Sequence, residues 1–289
     1  MVSTATVRMR RRAGQAAAVA AGAGAIAQWV PSVASLGQWA PWGARGGTWC
    51  RWRGTGHGVA LTFDDGPDPV GTPAVLDALD RLGLTATFFC LGSQVDRFPD
   101  LVAAITARGH LVASHGYLHA HHLWRSPRWI ARDLDRSKDA LGRVGVTPRW
   151  FRPPYGQVSG PTMVAARSRG MQLVLWSAWG REWVAPDATA VASRVTAVLA
   201  PGSIVLLHDS DAMSPPGSAA RALDALGPIA EALHQRNLRA LGLEELIGPR
   251  SPDVAVHRTA GDRDPSDRTG RRDRTGRRDR TGRRAAQRA

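Results

Sequence analysis

The chain has 289 residues, 43% of them hydrophobic, and a formal charge of +14 at pH 7. That is enough apolar material for a sizeable core, and it excludes a minimal, stapled scaffold. The charge sits at the ends: residues 1–63 carry seven Arg and no acid, residues 258–289 carry twelve Arg against five Asp, and residues 64–257 balance 19 basic with 19 acidic side chains. A neutral central module gives nucleic acid no electrostatic hold there.

Arg8, Arg10, Arg11 and Arg12 precede an Ala/Gly-rich apolar stretch at 13–27, and Ser32-Val33-Ala34 offers a small-residue cleavage site. This is the order of a secretory signal, so residues 1–36 are expected to be a signal or membrane-anchoring segment. The expected location is extracellular or in the cell envelope, with the cytoplasm as the alternative. Residues 37–57, rich in Gly and carrying Trp39, Trp42, Trp49 and Trp52, read as a linker or an apron packed on the domain. Two cysteines, Cys50 and Cys90, do not make a disulfide framework and read as buried thiols.

From residue 58 to 248, short apolar runs alternate with amphipathic segments. Residues 59–63, 85–91, 110–114, 149–152, 171–177, 203–207 and 238–243 are predicted strands; 72–82, 99–108, 127–141, 161–169, 187–199 and 219–236 are predicted helices. Thr72-Pro73 and Ser126-Pro127 supply a hydroxyl cap before a proline whose missing donor costs nothing there. Seven strands with six intervening helices predict an α/β domain, a distorted (β/α) barrel of about seven parallel strands. Residues 249–289 end in three copies of Asp-Arg-Thr-Gly-Arg-Arg, too polar to bury a core, so a disordered tail is expected, free to contact an anionic cell wall or membrane surface.

The polar residues that interrupt these apolar runs fall at strand ends. Asp64 and Asp65 follow the first strand, His115 the third, Arg152 ends the fourth, Glu182 lies past the fifth and His208 ends the sixth. In a parallel barrel those ends converge on one face. His115 and His119, spaced i, i+4, would face one way on a helical turn, and Asp65 would add a hard oxygen. Two His and one carboxylate leave open positions for water and substrate, which suits a catalytic divalent ion better than a structural one: Zn²⁺ first, Co²⁺ or another divalent ion as alternatives. Asp64 is the candidate base, with Arg152 to orient it. His208 is the candidate acid, with Glu182 to raise its pKa toward neutrality. The remaining histidines, among them His57, His110, His121, His122, His234 and His257, read as bystanders.

Five blocks in order resemble the polysaccharide deacetylases of the NodB type, carbohydrate esterase family 4: Thr62-Phe63-Asp64-Asp65-Gly66-Pro67, His115-x-x-x-His119, Arg152-Pro153-Pro154-Tyr155, Trp176 through Trp183, and Leu206-Leu207-His208. The resemblance implies metal-assisted hydrolysis of N-acetyl groups on an N-acetylglucosamine-containing polysaccharide such as peptidoglycan, chitin-like polymer or poly-N-acetylglucosamine. It implies Asp65, His115 and His119 as metal ligands, Asp64 as base, Arg152 as its orienting partner and His208 as acid. The backbone N–H of Tyr155 would stabilise the oxyanion, and Trp183 and Leu206 would line a pocket for the acetyl methyl. An O-acetyl xylan esterase and a non-catalytic carbohydrate-binding protein of the same fold are the competing expectations. One departure stands out: Glu182 precedes Trp183 where the family presents Asp, which leads to the expectation that Glu182→Asp retains or raises activity. Oligomeric state is not readable from the sequence.

Overall fold

The computed structural model describes residues 50–248, except 52 and 55. The expected N-terminal segment at 1–36, most of the linker and the Arg-rich tail lie outside the described residues. Among the described residues eight strands form one all-parallel sheet: β1 (Cys50–Arg51), β2 (Ala60–Asp64), β3 (Ala86–Cys90), β4 (Leu111–Ser114), β5 (Trp150–Phe151), β6 (Gln172–Val174), β7 (Ala178–Trp179) and β8 (Ile204–His208), in the order β1-β6-β5-β4-β3-β2-β8-β7. No ladder joins β7 to β1 among the described residues, so the barrel stays open on that side.

The helices are α1 (Gly71–Leu82), α2 (Gly92–Arg97), α3 (Pro99–Ala107), α4 (Pro127–Arg143), α5 (Gly160–Ser168), α6 (Ala188–Val198), α7 (Ser218–Gln235) and α8 (Leu243–Ile247). Strand parity sorts the core. Leu61, Phe63, Phe88, Val205 and Leu207 point to a cluster shared with α1, α6 and α7. Ala60, Phe89, Ile204 and Leu206 point to a second cluster on the other face, with Phe151, Trp176 and Leu246. Because side chains alternate along a strand, Asp64 and His208 fall on the same face as Ala60 and Leu206. The β2–β8 register sets Thr62 beside Leu206 and Asp64 beside His208. Asp64 and His208, at the ends of two paired strands, are therefore neighbours by backbone pairing alone.

Two expectations change. Residues 238–243 make only an isolated parallel bridge, Val59 with Ala240, rather than a seventh strand. The chain then enters α8, whose Leu243, Leu246 and Ile247 plug the second cluster and whose Glu244 and Glu245 suit the positive end of a helix. The strand that takes its place is β7, two residues long and hidden in a Trp-rich run. Part of the segment read as a linker or a packed apron is built into the sheet edge, since β1 pairs with β6 and Gly54 N–H bonds Gly202 C=O at 2.8 Å.

Candidate active site

Each site residue is held by its own local device. Asp65 adopts a left-handed φ of +76, costly for a side chain with a Cβ and kept only where neighbours enforce it. Leu91 N–H bonds Gly66 C=O at 2.9 Å, and Gly66 packs so closely on the Asp209 carboxylate that a Cβ there would collide with Oδ2. Past that turn Thr72 is not the cap of α1. Asp68 Oδ1 accepts from Val70 N–H and Gly71 N–H, while the Thr72 hydroxyl accepts from Asp68 N–H and donates to Asp209. Ser126 caps α4 as expected, accepting from Trp129 N–H.

His115 and His119 sit on a loop, not on a helical turn. Their side chains meet because Gly116 turns at φ +86 and Asp133, buried on α4, accepts the N–H groups of Tyr117 at 2.9 Å and Leu118 at 3.1 Å. One ligand atom from each of Asp65, His115 and His119 lies within 4.8 Å of the others. Asp65 Oδ1 is 3.4 Å from Nε2 of each imidazole and, though buried, accepts no hydrogen bond.

The donor set fits a divalent cation. His115 Nδ1 lies 2.8 Å from the Arg152 carbonyl oxygen, which can only accept, so in the neutral ring Nε2 carries a lone pair. A lone pair and a carboxylate oxygen facing each other repel unless a positive charge sits between them. His119 is held neutral: burial pushes its pKa down to about 4 despite Asp65. Burial pushes the Asp65 carboxyl up, but the His115 imidazole beside Oδ1 and then the charge of His208 outweigh it and bring it to about 2.

Arg152 is fully buried. Its NH1 donates to Asp64 Oδ1 at 2.6 Å and to Thr62 Oγ1 at 2.8 Å, its NH2 and Nε donate to the carbonyls of Leu175 and Val174, and the guanidinium lies 4.0 Å from the Phe89 ring centre. With Oδ1 occupied, Asp64 Oδ2 is left facing the trio, 3.8 Å from His115 Nε2. Across the cavity, Glu182 Oε1 accepts from His208 Nδ1 at 2.8 Å, so the extra methylene is accommodated. Arg221 Nε donates to the Glu182 backbone carbonyl at 2.8 Å and holds that loop on α7. Burial would lower the His208 pKa, but Glu182, through charge and hydrogen bond, and then Asp65 and Asp64 raise it to about 10. This is well beyond the near-neutral value expected, because three carboxylates face the ring instead of one.

Asp64, Asp65, His115, His119, Tyr155, Trp183, Leu206 and His208 line one cavity of about 390 Å³; Arg152 and Glu182 stand behind its wall. Tyr155 has φ +59, and its ring lies 4.3 Å from His119 and stacks flat on His121 at 3.6 Å. His121 thus belongs to the rim rather than to the bystanders. His110 and His122 are buried, and His122 Nδ1 lies 3.1 Å from Thr162 Oγ1. Sequence reasoning also missed Asp133 and Asp209. Asp133 had a signal, since it shares the helical face of Ile130, Leu134, Ser137 and Leu141, an apolar stripe in which a carboxylate needs a reason.

The site can be set beside known proteins. A family model described as polysaccharide deacetylase matches residues 53–174. The chain is 32% identical over 190 residues to a peptidoglycan-N-acetylglucosamine deacetylase of Bacillus cereus, covering 65% of this chain and 68% of the relative. It is 36% identical over 169 residues to a chitooligosaccharide deacetylase of Bradyrhizobium, covering 58% and 76%. Among solved structures, the Bc1960 peptidoglycan N-acetylglucosamine deacetylase superposes with a TM-score of 0.64 at 30% identity, over 68% of this chain and 92% of that one. A family 4 carbohydrate esterase from Streptomyces lividans, in complex with acetate, gives 0.59 at 31% identity, over 65% and 92%.

Proposed function

Because this chain belongs to the polysaccharide deacetylases of carbohydrate esterase family 4, we propose that it hydrolyses the acetamide of N-acetylglucosamine units in a cell-envelope polysaccharide, with peptidoglycan as the leading substrate. The observation that carries this reading is the sharing of one cavity by three elements: the Asp65–His115–His119 cluster, a carboxylate oriented by a buried arginine, and a histidine oriented by a buried glutamate.

Asp65, His115 and His119 are the residues that would hold the metal, with Zn²⁺ as the proposed ion. When bound there, a divalent ion supplies Lewis-acid polarisation and lowers the pKa of a water. The protein's residues do the rest. Asp64 Oδ2 takes a proton from the attacking water while Arg152 keeps the other oxygen fixed. The water oxygen bonds the acetyl carbon, and the Tyr155 backbone N–H stabilises the oxygen that gains charge. Cleavage of the carbon–nitrogen bond sends the electron pair to nitrogen, and His208 Nε2 delivers the proton that completes the amine. Acetate and a free amino sugar result. Leu206 and Trp183 line the space for the acetyl methyl, and Glu182 holds the Nδ1 proton of His208, so that the proton released is the one on Nε2.

The basic N-terminus followed by an apolar stretch supports export, which would bring the enzyme to such a polymer. Among the described residues no helix is long and apolar enough to cross a membrane. The test is acetate release from N-acetylglucosamine oligomers, peptidoglycan and acetylxylan, with and without chelator and with added Zn²⁺ or Co²⁺. Release from the N-acetylated glycans that stops with chelator is expected. Higher activity on acetylxylan would move the assignment to ester hydrolysis, and chelator-resistant turnover would remove the metal from it.

A further inference from the structure

A second cavity, of about 290 Å³, adjoins the catalytic one and is lined by Trp176, Ser177, Trp179, Arg181, Arg194 and Val198. Trp176 and Trp179 line both spaces. Aromatic rings connect them: Trp183 meets His208 edge-on at 5.5 Å, Trp179 lies 5.5 Å from Trp183, and Trp176 lies 5.6 Å from Trp179. Indole faces suit the C–H face of a sugar ring, so the track leads from the acid to a place where a neighbouring sugar can rest.

The charge in this cavity is unbalanced. Arg181, left-handed at φ +53, holds its guanidinium 5.3 Å from the Trp179 ring centre. Arg194 on α6 donates NH1 to the carbonyls of Gly180 and Arg181 at 3.3 and 3.2 Å. Neither guanidinium forms a salt bridge with a carboxylate among the described residues. The indole N–H of Trp176, buried, likewise finds no acceptor among the described residues. Two planar forks and an unused N–H beside an aromatic platform make an acceptor-seeking pocket whose natural ligand is a carboxylate.

We propose that the Trp176–Trp179–Arg181–Arg194 cavity is a subsite for a carboxylate-bearing sugar flanking the acetylated one, such as the lactyl-substituted sugar of a peptidoglycan strand whose stem peptide has been removed. This rests on the deacetylase reading above and narrows it to an acidic glycan. A neutral chitin-like chain would leave both arginines unanswered.

The experiment compares three oligomers of equal length: N-acetylglucosamine alone, alternating N-acetylglucosamine and N-acetylmuramic acid, and the latter with its carboxyl groups methyl-esterified. Wild type, Arg181→Gln, Arg181→Lys and Arg181→Gln/Arg194→Gln are assayed for acetate release. Binding to each protein in an Asp64→Asn background is followed in parallel by tryptophan fluorescence. Losing two such contacts should raise KM and Kd for the free-acid oligomer about tenfold in the double variant, more than for the ester or the neutral oligomer. Arg181→Lys should recover part of the loss, and added salt should weaken binding of the free acid alone. KM on the neutral oligomer reports whether each variant is intact. If the double variant does not fold, Arg181→Gln carries the test, since it leaves the Arg194 contacts in place. Equal effects on free acid, ester and neutral oligomer would overturn the subsite while leaving the deacetylase standing. Absence of turnover on every substrate would overturn the deacetylase, and the binding titrations would still decide the subsite.

Discussion

Arg152 donates to Asp64 across 2.6 Å with the guanidinium fully buried and the carboxylate 2% exposed. Removing one member of a buried ion pair strands the other, so Arg152→Ala should cost about 3–5 kcal/mol of stability. Asp64→Asn keeps an acceptor for the guanidinium but cannot take a proton, and should lower kcat by about 10²–10⁴ with a smaller change in Tm. Metal uptake should survive Asp64→Asn, because Asp64 is not one of the three residues clustered to hold an ion. Thermal melts and a metal titration on the two variants check this; loss of metal with Asp64→Asn would mean that Asp64 is a ligand rather than the base.

Glu182 sets the protonation of His208. A pKa of about 10 keeps the ring charged through neutral pH and places loss of the acid on the alkaline side of the ordinary 6.5. A cation on Asp65 withdraws part of that negative potential, so the metal-loaded enzyme should lose activity at a pH between these values. Glu182→Gln removes the largest favourable charge, and the alkaline limb of kcat should move to lower pH. Glu182 already reaches Nδ1 at 2.8 Å, so a shorter Asp would withdraw from the ring, which argues against the expectation that Glu182→Asp retains or raises activity. Glu182→Asp should therefore lower kcat about tenfold without moving the limb far. A pH–rate profile of the three proteins decides, and an unchanged limb in Glu182→Gln would sink the assignment of His208 as the acid.

The sequence was most legible where strand periodicity met chemistry. Alternation along β2 and β8 put Asp64 and His208 on one face, and the motif order supplied Arg152 between them. His115 and His119 were found through a helical spacing that the chain does not use; Gly116 and Asp133 do the work of the helix. A four-residue separation closes equally well in a tight loop, so spacing alone could not tell them apart. β7 escaped because two residues carry no period, and residues 238–243 deceived because an apolar alternation also fits one bridge followed by a plug helix. Asp209 had no signal at all: nothing in a linear sequence reveals that a glycine from another turn presses on its carboxylate.

Asp133 holds the loop that carries His115 and His119 through two backbone N–H groups and is not itself one of the three clustered residues. Truncation to Ala frees Tyr117 and Leu118 and lets His119 wander, so metal affinity should fall about 10–100-fold, as expected for a supporting carboxylate. Asp133→Asn retains one acceptor oxygen and should lose less. Competition with a chromophoric chelator measures both, and equal affinity in wild type and Asp133→Ala would show that the loop is held by packing alone.

Asp209 gives a stability prediction of definite sign. It is buried, Thr72 Oγ1 donates to Oδ2, and Oδ1 has no partner among the described residues. Burial pushes its carboxyl up to about 7, against the lowering effect of the Thr72 hydrogen bond. Between the ordinary 3.8 and 7 the folded protein holds a proton that the unfolded chain has released, so this group's contribution to stability declines as pH rises through that window. His119 and His122 act oppositely: burial lowers both to about 4, so the unfolded chain takes up protons first and stability declines as pH falls from 6.5 toward 4. Those two are present in wild type and variant alike and cancel in a difference. Asp209→Asn mimics the neutral carboxyl, so Tm of the variant minus Tm of wild type should grow from pH 5 to pH 8. A difference that stays flat across that range would mean that Asp209 ionises in the folded protein as easily as in the unfolded chain.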